Sequence, residues 1–230
     1  GLYNTEEWLT SKWLSDPFHK DVFIEIDWME GKNLFTRPYK MPFLSKQYLF
    51  SAFAKHCITL HLDDGCMGGG EEIPYTEFSD KSLRSVYFHY FLHGFKNRWR
   101  QGIFHYALLC GVNPWNKKIA GFNYQQDAFV VFIGTIRMYR CLPSSRIIAT
   151  ASLFMHELGH NLGLFHSDFP GIDNESCNFP WRKGWWIYRN YKSCMNYQYV
   201  YRLVDYSDGS HGENDFDDWG RIDLTLINYA

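Results

Sequence analysis

The segment MHELGHNLGLFHS constrains this chain more than any other part of the sequence. An α-helix advances 100° per residue, so His156 and His160 project from one face, one turn apart, where both imidazoles can bind one ion. Glu157 points beside that position, where its carboxylate can hold a water. His166 would lie too far along a continued helix to share the ion, and Gly163 stands where the chain must turn. The spacing HExxHxxGxxH therefore predicts three metal ligands, a base and a turn.

Histidines at a helix end with no shared role would be an alternative explanation. The five specified positions should coincide by chance in on the order of one in ten thousand chains of this composition, so we favour a metal site. Structural zinc sites are closed by four protein ligands, whereas three histidines leave one position open. We therefore expect one catalytic Zn²⁺, bound by His156, His160 and His166.

The other histidines do not repeat this pattern. His89 and His93 are also four residues apart, but no glutamate follows the first and no third ligand follows at a suitable spacing. We interpret them as histidines of the core or of an aromatic face. The same interpretation applies to His19, His56, His61, His105 and His211.

Composition excludes several classes of function. The chain has 230 residues, 46% of them apolar, and no visible repeat, which indicates a single domain. No apolar run approaches the ~18 to 20 residues that span a bilayer. The formal net charge is -2 and the charges are interspersed, so a nucleic-acid surface is not expected. We expect a monomer.

The even number of cysteines, six without a CxxC pair, favours disulfides over a structural zinc knuckle. Free buried thiols are the alternative, and 15 pairings are possible. Since disulfides form in oxidising compartments, we expect a secreted or otherwise extracytoplasmic protein.

Periodicity predicts an α+β fold. DVFIEIDWM (21–29) alternates like a half-buried strand, with Asp21, Glu25 and Asp27 on the polar face. The other predicted elements are a helix at 45–60, buried strands at 102–111 and 127–135, a shorter strand at 119–125, a long helix capped by Ser144 or Ser145 and ended by Gly163, and a terminal helix within 215–229. Between Gly163 and about residue 212 there is little regular pattern.

The segment from His156 to Tyr201, about 45 residues, resembles the metzincin metallopeptidases. Besides HELGHNLGLFH, it contains SCMNY, in which Met195 matches the methionine of the family's Met-turn. Tyr197 matches the tyrosine that astacins, serralysins and pappalysins use as an additional zinc ligand. Ser167 is instead similar to matrixins, so no subfamily is assigned.

The resemblance implies a metzincin-like zincin fold. This fold has a twisted, mixed five-stranded sheet with a backing helix and an active-site helix, followed by an irregular lower lobe with a C-terminal helix. Residues 1–230 would then form one catalytic domain, with an upper subdomain at 1–163 and a lower one at 164–230. In the family an edge strand pairs with extended substrate, and IAGFNYQ (119–125) is the candidate here.

The function that the resemblance implies is that of a zinc metalloendopeptidase acting on a peptide or protein substrate. Glu157 would activate a water on the zinc ion, Tyr197 would stabilise the oxyanion, and Met195 would form an apolar floor beneath the metal. Two alternatives stay open: a catalytically silent zinc-binding interaction module, and a zinc hydrolase of non-peptide substrates. Retention of Glu157 beside the ligands argues against the first.

Two further predictions concern the region after the motif. A disulfide between Cys177 and Cys194 would fix the floor of the site. The acidic segment DYSDGSHGENDFDD could bind Ca²⁺ through Asp205, Asp208, Asp215 and Asp217, although it lacks the DxDxDG spacing and a solvated loop is the stronger interpretation.

Overall fold

A computed structural model of the chain describes residues 20–77 and 79–225. Its sheet has six strands, with the order β2-β1-β4-β6-β5, and the short strand β3 also pairs with β1. All pairings are parallel except that of β5 with β6. The strands are β1 (Lys20–Met29), β2 (Ile58–Asp63), β3 (Glu72–Ile73), β4 (Phe104–Cys110), β5 (Gly121–Gln125) and β6 (Ala128–Phe132).

Helices lie in the connections between the parallel strands and after the sheet. They are α1 (Phe43–Ala54), α2 (Asp80–Val86), α3 (Ile133–Tyr139), α4 (Pro143–Asn161), α5 (Lys183–Ile187) and α6 (Asp218–Arg221). A π-helical turn (Tyr87–Phe91) follows α2, and 3₁₀ turns cover Arg98–Arg100 and Glu175–Cys177. Among the described residues, no helix combines the length and the apolar character that a membrane span needs.

The predicted α+β class is confirmed, with two differences in the sheet. The sheet has six strands, not five, because Glu72 and Ile73 continue beside β1 beyond the end of β2. The prediction that β1 is half-buried is wrong. Glu25 and Asp27 are both fully buried, because β1 is an inner strand of a parallel sheet covered on both faces.

The predicted helix at 45–60 is too long. The helix α1 ends at Ala54, and β2 begins at Ile58. Cys57 between them has a φ of 55°, a left-handed conformation that no helix can continue through. The β-branched residues that follow then enter the sheet beside β1.

The long helix α4 carries His156, Glu157 and His160. It packs between α1, whose Ser45 hydroxyl donates to the Ile147 carbonyl at 2.8 Å, and the β5–β6 side of the sheet, where Phe154 packs edge-on against Phe129. The predicted serine cap is wrong, because α4 begins at Pro143 with Leu142 as N-cap and no side-chain capping bond. The proline ring already fixes a helical φ at the first position.

The region after α4 has little regular structure, as the sequence predicted. The terminal helix is shorter than expected: α6 covers only Asp218–Arg221, residues 222–225 are not helical, and the rest of the predicted helix lies outside the described residues. Tyr206 in this region donates to the Met155 carbonyl at 2.6 Å and so joins it to α4.

A buried ion cluster joins the glycine-rich loop after β2 to the sheet. The Arg100 guanidinium binds Glu25 through Nη1 and Asp63 through Nη2, the latter at 2.8 Å, and all three side chains are fully buried. Gly69 lies directly against this cluster, since a Cβ there would overlap both Arg100 and Glu25. Glu25 of β1 and Gly69 of the GGG sequence therefore both pack against the buried Arg100 side chain.

Candidate metal centre

The two histidines of α4 converge as their spacing predicts. The rings of His156 and His160 are perpendicular, with centroids 5.0 Å apart. The His156 side chain is buried, and the His160 side chain is half-buried. Both Nε2 atoms point toward one small volume, where a single ion can reach them.

Main-chain carbonyls fix the orientation of all three motif histidines. A carbonyl oxygen only accepts, so each Nδ1 carries a proton and donates it, and in the neutral ring this leaves the Nε2 lone pair for a metal. This is the usual outer contact of metal-binding histidines. The bonds run from His156 to Cys194 at 2.9 Å, from His160 to Leu164 at 2.8 Å and from His166 to Ile172 at 2.7 Å.

Gly163 turns the chain at the end of α4. Its φ is 89°, and its N–H donates to the His160 carbonyl at 3.1 Å. The Leu164 N–H donates back to Gly159 at 2.9 Å, which completes the turn. Positive φ carries no steric penalty in glycine, so the motif ends the helix where the sequence predicted.

The side chains whose potential ligand atoms lie together are not the three predicted histidines. Among the described residues, the group whose ligand atoms lie within 4.8 Å of one another at this site consists of His156, His160 and Asp173. His166 is exposed and outside that group, although its Nδ1 bond places it next to the segment that precedes Asp173. Sequence analysis did not identify Asp173.

The Asp173 carboxylate lies between the two histidine rings. Its Oδ1 is 3.1 Å from His156 Nε2, and its Oδ2 is 3.3 Å from His160 Nε2. Burial alone would raise the pKa of Asp173, but the two imidazoles beside its carboxylate hold that pKa well below its usual range. Burial likewise disfavours charge on His156, yet Asp173 and Glu157 raise its pKa to about 9.

Glu157 lies beside this group and is oriented by strand β5. Asn123 Nδ2 donates to the Glu157 carboxylate Oε2 at 3.2 Å and to the Glu157 carbonyl at 3.0 Å. A Cβ at Gly121 would overlap Oε1, so the glycine leaves the space that the carboxylate fills. Burial raises the pKa of Glu157, against the lowering effect of the two histidines. The carboxyl is therefore held near the candidate ligands without being one of them.

Met195 and Tyr197 form the floor and one wall of the centre. Met195 is fully buried under α4, where its Sδ would be 2.5 Å from a Cβ at Gly159. The Tyr197 ring stacks near His156 at 5.9 Å between centroids. Burial and the neighbouring carboxylates of Asp173 and Glu157 raise the pKa of Tyr197 well above its usual range, so its hydroxyl stays a donor.

The residues present suit a divalent transition metal. Two imidazoles in a fixed orientation, a third close in the chain and a carboxylate are the nitrogen and oxygen ligands that Zn²⁺ takes in proteins. Protons and a cation compete for the same nitrogen lone pairs, so the raised pKa of His156 describes the metal-free group.

The cysteines do not support the predicted floor of the site. All six are free, and Cys177 and Cys194, both buried, are not bonded to each other. The main chain of Cys194 nevertheless connects the floor to the motif, because its carbonyl accepts from His156.

The four carboxylates predicted for calcium do not converge. Asp208 and Asp215 lie together with His211, but Asp205 pairs with Lys55 at 2.9 Å and Asp217 caps α6 through the Gly220 N–H. Only two of the four predicted carboxylates, Asp208 and Asp215, therefore lie together, and calcium binding stays a prediction.

The other histidines have mixed environments. His61 and His105 are buried, and His56 stacks on Trp219, as the interpretation of core or aromatic-face histidines predicts. His211 is exposed, against that interpretation. His89 is also exposed but contacts the Phe88 ring edge-on at 5.2 Å between centroids, and His93 is half-buried. His19 lies outside the described residues.

No model of a known protein family matches the sequence, and no curated protein matches it well enough to count as a relative. The function therefore has to be inferred from the side chains of the centre.

Proposed function

We propose that this protein is a zinc-dependent peptidase of the metzincin type that hydrolyses internal peptide bonds. The observation that carries the proposal is the position of Glu157, a buried carboxylate oriented by Asn123 beside the converging imidazoles of His156 and His160. A binding module needs the imidazoles alone, whereas hydrolysis also needs a base at this position.

The metal ligands proposed for catalysis are His156, His160 and His166, and Tyr197 is proposed as an additional ligand. The shared Nδ1 contacts support it, since each ring is turned so that Nε2 is the metal-binding atom. A Zn²⁺ ion bound there would supply Lewis-acid polarisation of the scissile carbonyl and of the attacking water.

Glu157 moves the proton in this proposal. It accepts a proton from the attacking water and returns it to the leaving amine, so one carboxyl acts as base and then as acid. Its raised pKa suits both steps, because a carboxylate with higher proton affinity is a stronger base near neutral pH. Asn123 holds the carboxylate in place while its charge changes.

The substrate backbone would bind along β5. This strand ends the sheet order, and among the described residues no further strand pairs with its outer edge. An extended peptide can add to such an edge by main-chain hydrogen bonds, which select extended substrates without requiring particular side chains. Gly121 and Asn123 of β5 already touch Glu157, so a peptide paired there passes next to the base.

Tyr197 would stabilise the developing oxyanion. Its raised pKa keeps the hydroxyl protonated, and its ring stands beside His156. Replacing Tyr197 by Phe should lower kcat with little change in zinc content. Equal turnover in Tyr197→Phe and wild type would reduce this side chain to a packing role.

The remaining parts of the proposal follow from the same resemblance. We propose a metzincin-like arrangement of one catalytic domain that changes from regular to irregular structure at Gly163. The mostly parallel sheet with an antiparallel edge strand, the helix α4 and the buried Met195 support it. An extracytoplasmic location is proposed from the even number of cysteines in the sequence and not from any disulfide, because all six cysteines are free.

The test is digestion of a mixed peptide library by zinc-loaded protein, read by mass spectrometry. Wild type should cut, Glu157→Gln should keep one zinc per chain and not cut, and His160→Ala should lose both zinc and activity. The matched control is Glu175→Gln, which makes the same chemical change at an exposed carboxylate. Cleavage by Glu157→Gln at the wild-type rate would overturn the mechanism.

The two alternatives predict different results. If zinc is bound and no protein cuts peptides, esters and other acyl substrates should be tried, and turnover of one of them would indicate a hydrolase of non-peptide substrates. Zinc binding without turnover of any substrate would favour a silent zinc-binding module.

A further inference from the structure

The geometry points to Asp173 as a ligand of the metal ion that closes the resting centre, so that the chain inhibits its own active site. This inference rests on the proposed function, because it concerns the same ion. It assigns a role to a residue outside the HExxHxxGxxH motif and predicts that the carboxylate has to leave before water or substrate can bind.

The first support is the distance between Asp173 and the imidazoles. Two ligands on a tetrahedral ion with bonds of about 2.0 to 2.1 Å lie about 3.3 Å apart. The carboxylate oxygens of Asp173 are 3.1 Å from His156 Nε2 and 3.3 Å from His160 Nε2. The carboxylate thus already lies at a ligand-like distance from each imidazole, and the ligand atoms of the three side chains lie within 4.8 Å of one another.

The second support is an unsatisfied carboxylate oxygen. Oδ1 of Asp173 is buried and has no aligned hydrogen-bond donor, although His156 Nε2 is close to it. A buried carboxylate oxygen without a well-aligned donor is destabilising in the metal-free centre. A cation at the convergence of the three side chains would satisfy this atom without moving the backbone.

The third support is the way the backbone holds this residue. Asp173 has a φ of 52°, a left-handed conformation that is unfavourable for a non-glycine residue. Its N–H donates to the Met195 carbonyl at 3.1 Å, and the carbonyl of the preceding Ile172 accepts from His166. The floor of the centre and the third motif histidine therefore fix the main chain on both sides of Asp173.

The consequence is a closed coordination shell at rest. Together with His166, which lies outside the converging group in this structure, His156, His160 and Asp173 would give four protein ligands, the number typical of structural sites that bind no water. The Asp173 side chain is 27% exposed, so it stands at the mouth of the centre with room to rotate outward. Catalysis would then begin when the carboxylate swings away and leaves its position to water.

The experiment measures metal and inhibitor binding to the full chain. Zinc affinity is determined by competition with a fluorescent chelator, and acetohydroxamate, a small bidentate zinc ligand, probes the open position of the zinc-loaded protein. Three proteins are compared with wild type: Asp173→Ala, Asp173→Asn and Glu175→Ala. The last removes an exposed carboxylate from the same segment and serves as control. Asn accepts positive φ better than most residues, so Asp173→Asn keeps the local backbone.

Loss of Asp173 should weaken zinc binding and open the centre. Removing residues that merely orient metal ligands costs about 10- to 100-fold in affinity, and loss of a ligand should cost no less. We expect at least tenfold weaker zinc binding in both Asp173 variants, and at least tenfold tighter acetohydroxamate binding once zinc is saturating. Glu175→Ala should match wild type. Peptide turnover at saturating zinc should rise in the Asp173 variants.

The outcomes separate this inference from the proposed function. Zinc affinity of both Asp173 variants equal to that of Glu175→Ala would overturn the role of Asp173 as a ligand. Weaker zinc binding with unchanged acetohydroxamate binding at saturating zinc would overturn its closing role. Both results are independent of whether Glu157-dependent cleavage is observed, which alone decides the proposed function.

Discussion

The buried His105 should make the stability of this protein sensitive to mild acid. His105 lies in the central strand β4, paired with Ile24 of β1, and is 2% exposed. Its Nδ1 is buried without a hydrogen-bond partner in the described structure. Burial lowers the pKa of His105 from 6.5 to about 3, because the imidazolium would lose its hydration with no anion to replace it.

The sign of the effect follows from proton binding. Below pH 6.5 the unfolded chain takes up a proton at His105, whereas the folded chain does so only near pH 3. The contribution of neutral His105 to stability is therefore complete above pH 6.5 and is lost as the pH falls toward 3. With these two pKa values the loss is about 2 kcal/mol at pH 5 and about 3 kcal/mol at pH 4.

The perturbation is His105→Leu, a substitution of similar volume that removes the titrating group and the unpaired nitrogen. Unfolding in urea, followed by tryptophan fluorescence in chelator-containing buffer, gives the free energy of unfolding at several pH values without a contribution from metal release. Between pH 7 and pH 5, wild type should lose about 2 kcal/mol more of its free energy of unfolding than His105→Leu does. His89→Leu, which removes an exposed imidazole, is the control. Parallel pH profiles for His105→Leu and wild type would refute the reasoning.

Three further substitutions test the packing around the centre and the sheet. Gly121→Ala should displace the Glu157 carboxylate and lower kcat by about 100-fold with zinc content unchanged, and wild-type kcat would contradict the contact seen here. Gly159→Ala places a methyl group against Met195 and should cost about 1 to 3 kcal/mol in the free energy of unfolding, which an unchanged urea midpoint would disprove. Arg100→Leu leaves buried carboxylates unpaired and should cost about 3 to 5 kcal/mol; a loss below 1 kcal/mol in urea unfolding would show that they protonate without penalty.

The parts of the centre that depend on local conformation were predictable from sequence. Helical periodicity places His156 and His160 on one face, and Gly163 ends the helix because glycine tolerates positive φ. Both features depend only on residues close together in the chain. The strand at 119–125 was predicted only as a short strand between two buried ones, and its edge position was predicted from the resemblance to metzincins; β5 does lie at the end of the sheet order.

Asp173 could not be predicted in this way. Its carboxylate reaches the histidines because a non-glycine residue adopts positive φ and its N–H bonds to Met195, which lies more than 20 residues later. No spacing rule encodes such a contact. The one available signal was chemical, an acidic residue soon after His166 in a segment otherwise poor in regular structure.

The same limit explains the errors in the sheet. Cys57 ends α1 in a left-handed conformation without a glycine to mark it, so helix and strand appeared as one element. Glu25 seemed to face solvent, because the alternation in β1 does not reveal how many layers cover a strand. Its partner Arg100 is distant in sequence, and a buried ion pair is recognisable only when both members are placed.

The main-chain origin of the three histidine contacts has a consequence for how this sequence can change. The side chains at positions 164, 172 and 194 are fully buried, but replacing them by other side chains that fill the same space leaves the acceptor carbonyls in place and still orients the imidazoles. Insertions and deletions act differently, because one residue added between 164 and 172 moves a carbonyl away from its ring. The centre should therefore tolerate variation in composition along these segments while their lengths stay fixed.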